Sequence, residues 1–292
     1  MTDARTVREG LYFGEGPRWH DGRLWYSDFY DRAVHALDED GGDERIVEVA
    51  AQPSGLGWLP DGRLLVVAMK ERRVLRMELD GTLTVHADLS AMEPFMSNDM
   101  VVDADGRAYV GGFGFDLDAL LADPEGLTDP GPIPTVISRI DPDGTASVAA
   151  AEMMFPNGTV ITGSGRTLVV AETMAQRLTA FDRAADGSLD NRRVWADLSG
   201  TGAVPDGICL DAEGAIWIAD PLSPRCLRVA EGGSVLETVE FSQSTFACAL
   251  GGSDGHTLYA LTADSSNASV ASAAPSGRVE AVKVEVPGAG SP

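Results

Sequence analysis

The 292-residue sequence predicts an all-β fold, a six-bladed β-propeller with about four antiparallel strands per blade. One pattern recurs along the chain: a short apolar strand, a turn of the Asp-Gly type, and a second β-rich strand. The turn glycines are Gly22, Gly62, Gly106, Gly165, Gly214 and Gly255. Because Asp-Gly between such strands is a strong hairpin signal, the pattern predicts six hairpins at about the spacing of propeller blades.

The elements that surround each hairpin complete the blade. A third strand follows in most copies, as in Ala33–Leu37. A first strand near Arg5–Leu11 is expected beside the last strand near Arg278–Val286, which would close the ring and remove exposed sheet edges. No linker separates two halves, so residues 1–292 are predicted to form one domain.

The third blade contains a long connection, Phe113–Thr135. It holds seven prolines and glycines together with several acids, and it shows no alternation of apolar and polar residues. This composition predicts an irregular insert in residues 113–135. The insert is either a solvated loop or a lid over the mouth of the central channel.

Charge and composition exclude several classes of partner. The net charge of −23 disfavours nucleic acid and anionic membrane surfaces, because a negative field repels phosphates. The negative charge either keeps the protein soluble or attracts cations. No apolar run follows Met1 or approaches the roughly 18 residues of a membrane helix, so a cytoplasmic protein is expected. The three cysteines lack metal-ligand spacing and are expected to be buried free thiols.

Aligning the six repeats on their turn glycines brings polar residues to one shared position, here called the ring position. Its members are Glu15, seven residues before its glycine, and, eight residues before theirs, Ser54, Asn98, Asn157, Asp206 and Ala247. The ring position starts the innermost strand of each blade, so its side chains should face one end of the channel. The sequence therefore predicts that one glutamate, two asparagines and one aspartate are neighbours in space.

This convergence points to a bound cation. Pro156-Asn-Gly158 and Pro205-Asp-Gly207 are also ordinary turn sequences, whose side chains bond their own backbone. Carboxylates crowded in one channel, however, would repel each other and shift in pKa unless a cation held them. Oxygen donors suit one divalent ion, with Ca²⁺ the first candidate and Mg²⁺, Mn²⁺ or Zn²⁺ as alternatives. A small protein donor set would leave open positions for water and substrate, as catalytic metals require.

The histidines argue against a zinc site and against a catalytic triad. His20, His35, His86 and His256 show no ligand spacing, which disfavours a histidine zinc site or a Ser-His-Asp triad. A second group of acids lies where the second strand of a blade ends, at Asp28, Glu172 and Asp220. These are either solvated strand-end residues or, for Glu172 in particular, contacts to a substrate.

Several motifs resemble the senescence-marker-protein/gluconolactonase family of six-bladed propellers, over essentially the whole chain. The matching segments are Gly14–Trp19, Asn98-Asp99, Pro156–Gly158, Asp190–Gly214 and Phe246–Gly252. The resemblance implies that Glu15, Asn157 and Asp206 hold a divalent ion. It also implies that Asn98 contacts substrate or water at the metal, and that Asp206 acts as a general base.

The resulting hypothesis is a metal-dependent, gluconolactonase-like hydrolase that opens a lactone, its small-molecule substrate. The metal would polarise the carbonyl, Asn98 would orient the substrate, and Asp206 or water on the ion would supply the base or nucleophile. A phosphotriesterase-like hydrolase on the same metal site is an alternative. The intact set of Glu15, Asn157 and Asp206 argues against related propellers that condense an amine with an aldehyde. A non-catalytic scaffold that binds a protein or peptide would instead show a wide exposed apolar patch.

One residue departs from the family pattern. Animal members that act on sugar lactones carry an arginine two residues before the asparagine that matches Asn98, whereas this chain has Met96. Methionine has no hydrogen-bond donor, so it cannot pair with a sugar hydroxyl. Met96 therefore predicts a substrate less polar than a sugar lactone, unless it anchors a loop outside the pocket.

Overall fold

The computed structural model describes residues 4–122 and 133–290. Within them, strands form six four-stranded antiparallel sheets, each of which is one blade of a propeller. The predicted six-bladed fold with four strands per blade is confirmed. In blades one to five the four strands follow one another along the chain, and blade six combines strands from both ends.

The elements are as follows. Blades one to three contain β2 (Gly14–His20), β3 (Arg23–Asp28), β4 (Ala33–Leu37), β5 (Asp43–Glu48), β6 (Pro53–Trp58), β7 (Leu64–Ala68), β8 (Arg73–Met77), β9 (Leu83–Asp88), β10 (Ser97–Val102), β11 (Ala108–Gly112), β12 (Thr135–Ile140) and β13 (Ala146–Met153). Blades four to six contain β14 (Pro156–Ile161), β15 (Thr167–Glu172), β16 (Arg177–Arg183), β17 (Leu189–Asp197), β18 (Ile208–Leu210), β19 (Ile216–Asp220), β20 (Arg225–Val229), β21 (Val235–Glu240), β22 (Ser244–Gly251), β23 (Thr257–Ala263), β24 (Gly277–Lys283) and β1 (Arg5–Leu11).

In the described residues, helical structure is confined to short connections. The α-helices are α1 (Leu117–Ala122) and α2 (Ala268–Ala271), and 3-10 turns occupy Met69–Glu71 and Thr173–Ala175. Within residues 4–122 and 133–290, no helix has the length and apolar character needed to span a bilayer.

The six predicted hairpin turns join the first and second strands of the blades. Their glycines have φ between 70° and 84°, which non-glycine residues adopt only with strain. The termini close the ring as predicted, because β1 pairs antiparallel with β24, from Arg5 opposite Ala281 to Leu11 opposite Gly277. Joining the two ends of the chain in one sheet removes the edge that an open ring would expose.

Apolar side chains fill the spaces between neighbouring blades. In the part of the chain that the structure describes, six hydrophobic clusters each join two adjacent blades. Blades one and two, for example, meet through Val34, Leu56 and Val66, all fully buried. Because burying such side chains is the main favourable term in folding, these clusters hold the blades in a ring.

The innermost strands of neighbouring blades approach each other very closely. Glycine follows the ring position in four blades, at Gly16, Gly55, Gly158 and Gly207. A Cβ atom on Gly55 would lie 2.3 Å from the backbone nitrogen of Met100, and one on Gly158 would lie 2.5 Å from that of Ile208. Only glycine fits between backbones at this separation, so adjacent ring residues are forced close together.

The long connection of blade three differs from the irregular segment expected. Leu117–Ala122 form α1, and β12 begins at Thr135. Leu117 and Leu120 lie three residues apart, which places both on the face of α1 that packs against the aromatic residues at the channel mouth. Residues 123–132 of the predicted insert lie outside the described residues. A lid function stays a prediction.

The cysteines are unpaired, as expected. Cys226 and Cys248 are buried, whereas Cys209 is partly exposed. The Sγ atoms of Cys209 and Cys248 are 3.7 Å apart, so the thiols are in contact without a covalent bond.

Blade three buries an acid, Glu93, whose carboxylate pairs with no cation among residues 4–122 and 133–290. Glu93 is 1% exposed, and its Oε1 accepts a hydrogen bond of 2.7 Å from Ser138 Oγ, while its Oε2 accepts one from Ser97 Oγ. Burial raises the pKa of Glu93 from its ordinary 4.5 to about 7, and the two hydroxyl donors together with the charge of Arg72 offset only part of this effect. Below about pH 4.5 the protonated side chain of Glu93 contributes fully to the stability of the fold. This contribution is lost as the pH rises through 7.

Substituting Glu93→Gln should therefore remove a pH-dependent loss of stability. Between pH 5 and pH 8, we expect the free energy of unfolding of the wild type to fall relative to the variant by up to roughly 3 kcal/mol. Denaturant unfolding at both pH values measures this difference. The exposed Glu237→Gln variant is the control and should follow the wild type. Parallel pH dependence of wild type and Glu93→Gln would contradict the assignment.

Candidate active site

A cavity of about 380 Å³ opens at the end of the channel where the innermost strands begin. Four ring-position residues line it and are here called its floor: Glu15, Asn98, Asn157 and Asp206. The structure thus brings together the oxygen-bearing side chains that the repeat alignment selected. Ser54 and Ala247 complete the ring position without lining the cavity, and Ser54 Oγ donates a 3.2 Å hydrogen bond to Asn98 Oδ1.

The backbone fixes the floor residues in relation to one another. Asp206 lies just before β18, where its N–H donates to the carbonyl of Ala219 at 3.1 Å. Its carbonyl accepts from the N–H of Gly158 at 3.2 Å, which links blades four and five directly beside Asn157. The two side chains also meet, because Asn157 Nδ2 donates a hydrogen bond to Asp206 Oδ1.

The floor carries more negative charge than its surroundings neutralise. Burial, followed by the charges of Asp206 and Asp99, raises the pKa of Glu15 well above its ordinary value. Burial also raises the pKa of Asp206, against the opposing effect of its hydrogen bond from Asn157. Arg18 is the positive charge that acts on Glu15, yet its Nη2 pairs with Asp99 Oδ1 at 2.9 Å. The two floor carboxylates would therefore be stabilised by a cation placed between them.

The chemistry of the floor fits a hard divalent ion. Among the described residues, no group of three or more His, Cys, Asp and Glu side chains lies close enough to hold a metal. The candidate donors are instead two carboxylates, Glu15 and Asp206, and the amide oxygen of Asn157, which is the neighbour of Asp206 in the ring. Carboxylate and amide oxygens suit Ca²⁺, Mg²⁺ or Mn²⁺ better than softer metals.

The sides of the cavity are largely apolar, and Met96 is the member of this lining that the sequence singled out. This apolar wall comprises Phe13, Phe29, Met69, Met96, Phe113, Leu117, Leu120, Phe155, Met174, Val204, Leu222 and Phe246. The aromatic rings contact one another, with centroids 4.4 Å apart for Phe113 and Phe155 and 4.7 Å apart for Phe13 and Phe246. Polar side chains in the lining are few: Tyr30, Gln52, Thr173, Gln176 and Ser266.

Two further positions of the repeat supply much of this lining, and the same counting would have found them. In five of the six blades the residue two before the ring position lines the cavity: Phe13, Gln52, Met96, Phe155 and Val204. In the same five blades the residue directly after the second strand also lines the cavity: Phe29, Met69, Phe113, Thr173 and Pro221. Met96 therefore lines the cavity and is not a loop anchor outside the pocket.

The predicted substrate contact from Glu172 requires correction. Glu172 is fully buried at the end of β15 and does not line the cavity. Its Oε2 accepts from the Met154 N–H at 2.8 Å, and its Oε1 accepts from Arg177 Nε at 2.9 Å and from Thr179 Oγ1. Because arginine and backbone donors occupy both oxygens, Glu172 stabilises the turn before β14 instead.

The other two acids at strand ends have the same kind of role. Asp28 Oδ1 accepts from the backbone N–H of Phe13 at 3.2 Å. Asp220 Oδ1 accepts from the backbone N–H of Leu222 at 3.2 Å, and its Oδ2 accepts from Arg225 Nε at 3.0 Å. These acids hold the loops that carry wall residues, so they shape the cavity without facing it.

Comparison with known proteins places this architecture in a family. The family described as SMP-30/Gluconolactonase/LRE-like region matches residues 13–264. Pentonolactonase XacC of Haloferax volcanii is 27% identical over 268 residues, covering 90% of this chain and 86% of the relative. The 6-deoxy-6-sulfogluconolactonase of Pseudomonas putida is 26% identical, covering 98% and 96%. Regucalcin of Danio rerio is 24% identical, covering 88% and 85%.

Solved structures show the same fold. A luciferin-regenerating enzyme superposes with a TM-score of 0.82 at 18% identity, covering 99% of this chain and 97% of that one. The calcium-binding protein regucalcin from Agrobacterium tumefaciens gives 0.80 at 22% identity, covering 100% and 97%. The match to the family over most of the chain, together with the propeller itself, confirms the resemblance found in the motifs. The chain belongs to the SMP-30/gluconolactonase/LRE-like family.

Proposed function

We propose that this protein is a lactonase that depends on a divalent metal and acts on lactones less polar than sugar lactones. One observation carries the proposal: Glu15, Asn98, Asn157 and Asp206 form the floor of a cavity whose wall is apolar. The lactonases among the relatives support the reaction class, and the regucalcin relatives are consistent with a bound cation.

Glu15, Asn157 and Asp206 would hold the ion. When bound, it supplies a Lewis acid that polarises an ester carbonyl and stabilises the negative charge that develops on its oxygen. The apolar wall lowers the local polarity beside the floor, which strengthens electrostatic interactions there.

Asn98 is placed to orient the lactone. Its Oδ1 accepts the hydrogen bond from Ser54 Oγ, so its amide nitrogen is left to donate into the cavity that it lines. A lactone carbonyl or ring oxygen accepts such a bond. Asn98 would thus fix the ester group over the floor while the rest of the substrate contacts the wall.

Asp206 is the candidate general base. Its carboxylate would take a proton from a water molecule as the water oxygen bonds to the carbonyl carbon, and would return the proton to the ring oxygen as the carbon–oxygen bond breaks. The products balance, since one lactone and one water give one hydroxy acid. Burial and the charge of Asp99 raise the pKa of Asp206 and so make it a better base, whereas a bound cation would act in the opposite direction.

The wall sets the substrate preference. A sugar lactone presents several hydroxyl groups, and a hydroxyl buried against Met96 or the phenylalanines would lack a partner. Each such loss costs about 1–3 kcal/mol, or roughly ten- to a hundredfold in binding. An alkyl or aromatic substituent on the lactone would instead gain from contact with the wall.

The first test concerns the base. Asp206→Asn should lower kcat at least about a hundredfold, because an amide cannot accept the proton from water. The calcium affinity of this variant, measured by calorimetry, should weaken less than that of a Glu15→Gln/Asn157→Leu double variant, because the asparagine at position 206 keeps one neutral oxygen donor.

Removal of the metal is a separate test. Chelator treatment should abolish wild-type hydrolysis, and Ca²⁺, Mn²⁺, Mg²⁺ or Zn²⁺ should restore it.

Two outcomes would count against this account. A folded Asp206→Asn protein with near-native turnover would remove Asp206 as the base. Full activity in stably metal-free protein would remove the metal. The same assay should include a phosphotriester, because hydrolysis of that substrate without lactone hydrolysis would assign the floor to phosphotriesterase chemistry.

The second test concerns substrate choice. Met96→Arg would place donors in the wall, so the ratio of kcat/KM for gluconolactone to that for an alkyl-substituted γ-lactone should rise by about tenfold or more. Met96→Leu is the matched control and should leave this ratio near that of the wild type. If the wild-type enzyme already prefers gluconolactone by a wide margin, the wall does not select apolar lactones.

A further inference from the structure

Thr173 differs from the residues at equivalent positions in the other blades. Those that directly follow the second strand and line the cavity are Phe29, Met69, Phe113, Thr173 and Pro221. Only Thr173 among them carries a hydroxyl group, and it follows the second strand of the blade that supplies Asn157. Thr173 is 7% exposed, so its hydroxyl requires partners within the protein.

The hydrogen bonds of Thr173 have a fixed direction. Its Oγ1 donates to the backbone carbonyl of Pro205 at 2.8 Å. A carbonyl has no hydrogen to give, and the hydroxyl has only one, so Oγ1 can only accept from its other partner. That partner is Asn157, 3.3 Å away, which must therefore present its Nδ2 to Thr173.

This direction determines which atom of Asn157 is available to a ligand. Nδ2 also donates to the carboxylate of Asp206, a second group that accepts. In the described part of the chain no residue donates a hydrogen bond to Asn157 Oδ1, and Asn157 lines the cavity. Two acceptors thus hold the nitrogen, and the oxygen remains free for a cation.

We propose that Thr173 is a positioning residue for the cation site. It holds the Asn157 amide with its oxygen available to the ion and, through the Pro205 carbonyl, fixes the chain that leads into Asp206. The inference rests on the proposed function, because it concerns the ion that Glu15, Asn157 and Asp206 would hold. Without the Thr173 oxygen, the amide could rotate and present its NH₂ group, whose hydrogens repel a cation.

Calcium titration of purified, chelator-treated protein tests this role. Thr173→Val keeps the shape of the side chain and removes its oxygen, so calcium affinity measured by calorimetry should fall about 10- to 100-fold. Thr173→Ser retains the hydroxyl and should bind calcium within about threefold of the wild type. Thr173→Ala repeats the test without the branched side chain if the valine variant does not fold.

A matched control separates positioning from general destabilisation. Thr262 of blade six is also buried, and its Oγ1 lies within hydrogen-bonding distance of two acceptors away from the floor, Glu280 Oε2 and Gln243 Oε1. Thr262→Val should lose thermal stability and keep its calcium affinity. If folded Thr173→Val binds calcium as tightly as the wild type, the role of Thr173 is overturned while the proposed function stands. Wild-type protein that binds no divalent ion would overturn the proposed function itself.

Discussion

The close packing of the innermost strands is the constraint on which the site depends. At Gly16, Gly55, Gly158 and Gly207, a Cβ atom would lie within 2.8 Å of a neighbouring blade. Because these glycines directly follow the ring position, backbone packs on backbone just beside it. Side chains from blades one, three, four and five are therefore crowded at one end of the channel, although they lie far apart in the sequence. The carboxylate pair on the floor is a consequence of this geometry.

The floor and the wall depend on each other. Phenylalanine and methionine side chains surround the carboxylates at the mouth, and burial raises the pKa of both Glu15 and Asp206. The same environment strengthens the attraction of the floor for a cation and of an ester group for that cation. Because most side chains around the mouth lack hydrogen-bond donors, they also select which substrates can approach. One arrangement thus accounts for ion binding, catalysis and a preference for apolar lactones.

Repetition made the fold and the floor predictable, because turn glycines and ring residues recur at the same place in every blade. The alignment could not show where side chains point, so Glu172 was expected in the cavity although it turns toward Arg177. Two further positions of the repeat supply much of the apolar wall, but within the wall only Met96 stands out in the sequence, by its departure from arginine. The role of Thr173 depends on the direction of one hydroxyl hydrogen, which only the three-dimensional contacts determine.

The central claim is that one divalent ion lies among Glu15, Asn157 and Asp206. An anomalous difference map from crystals grown with Mn²⁺ tests it most directly, since the map locates the ion without assumptions about activity. The account predicts a single strong peak on the floor of the cavity, in contact with an oxygen of each of these three side chains. A peak elsewhere, or a floor without one at saturating Mn²⁺, would contradict it.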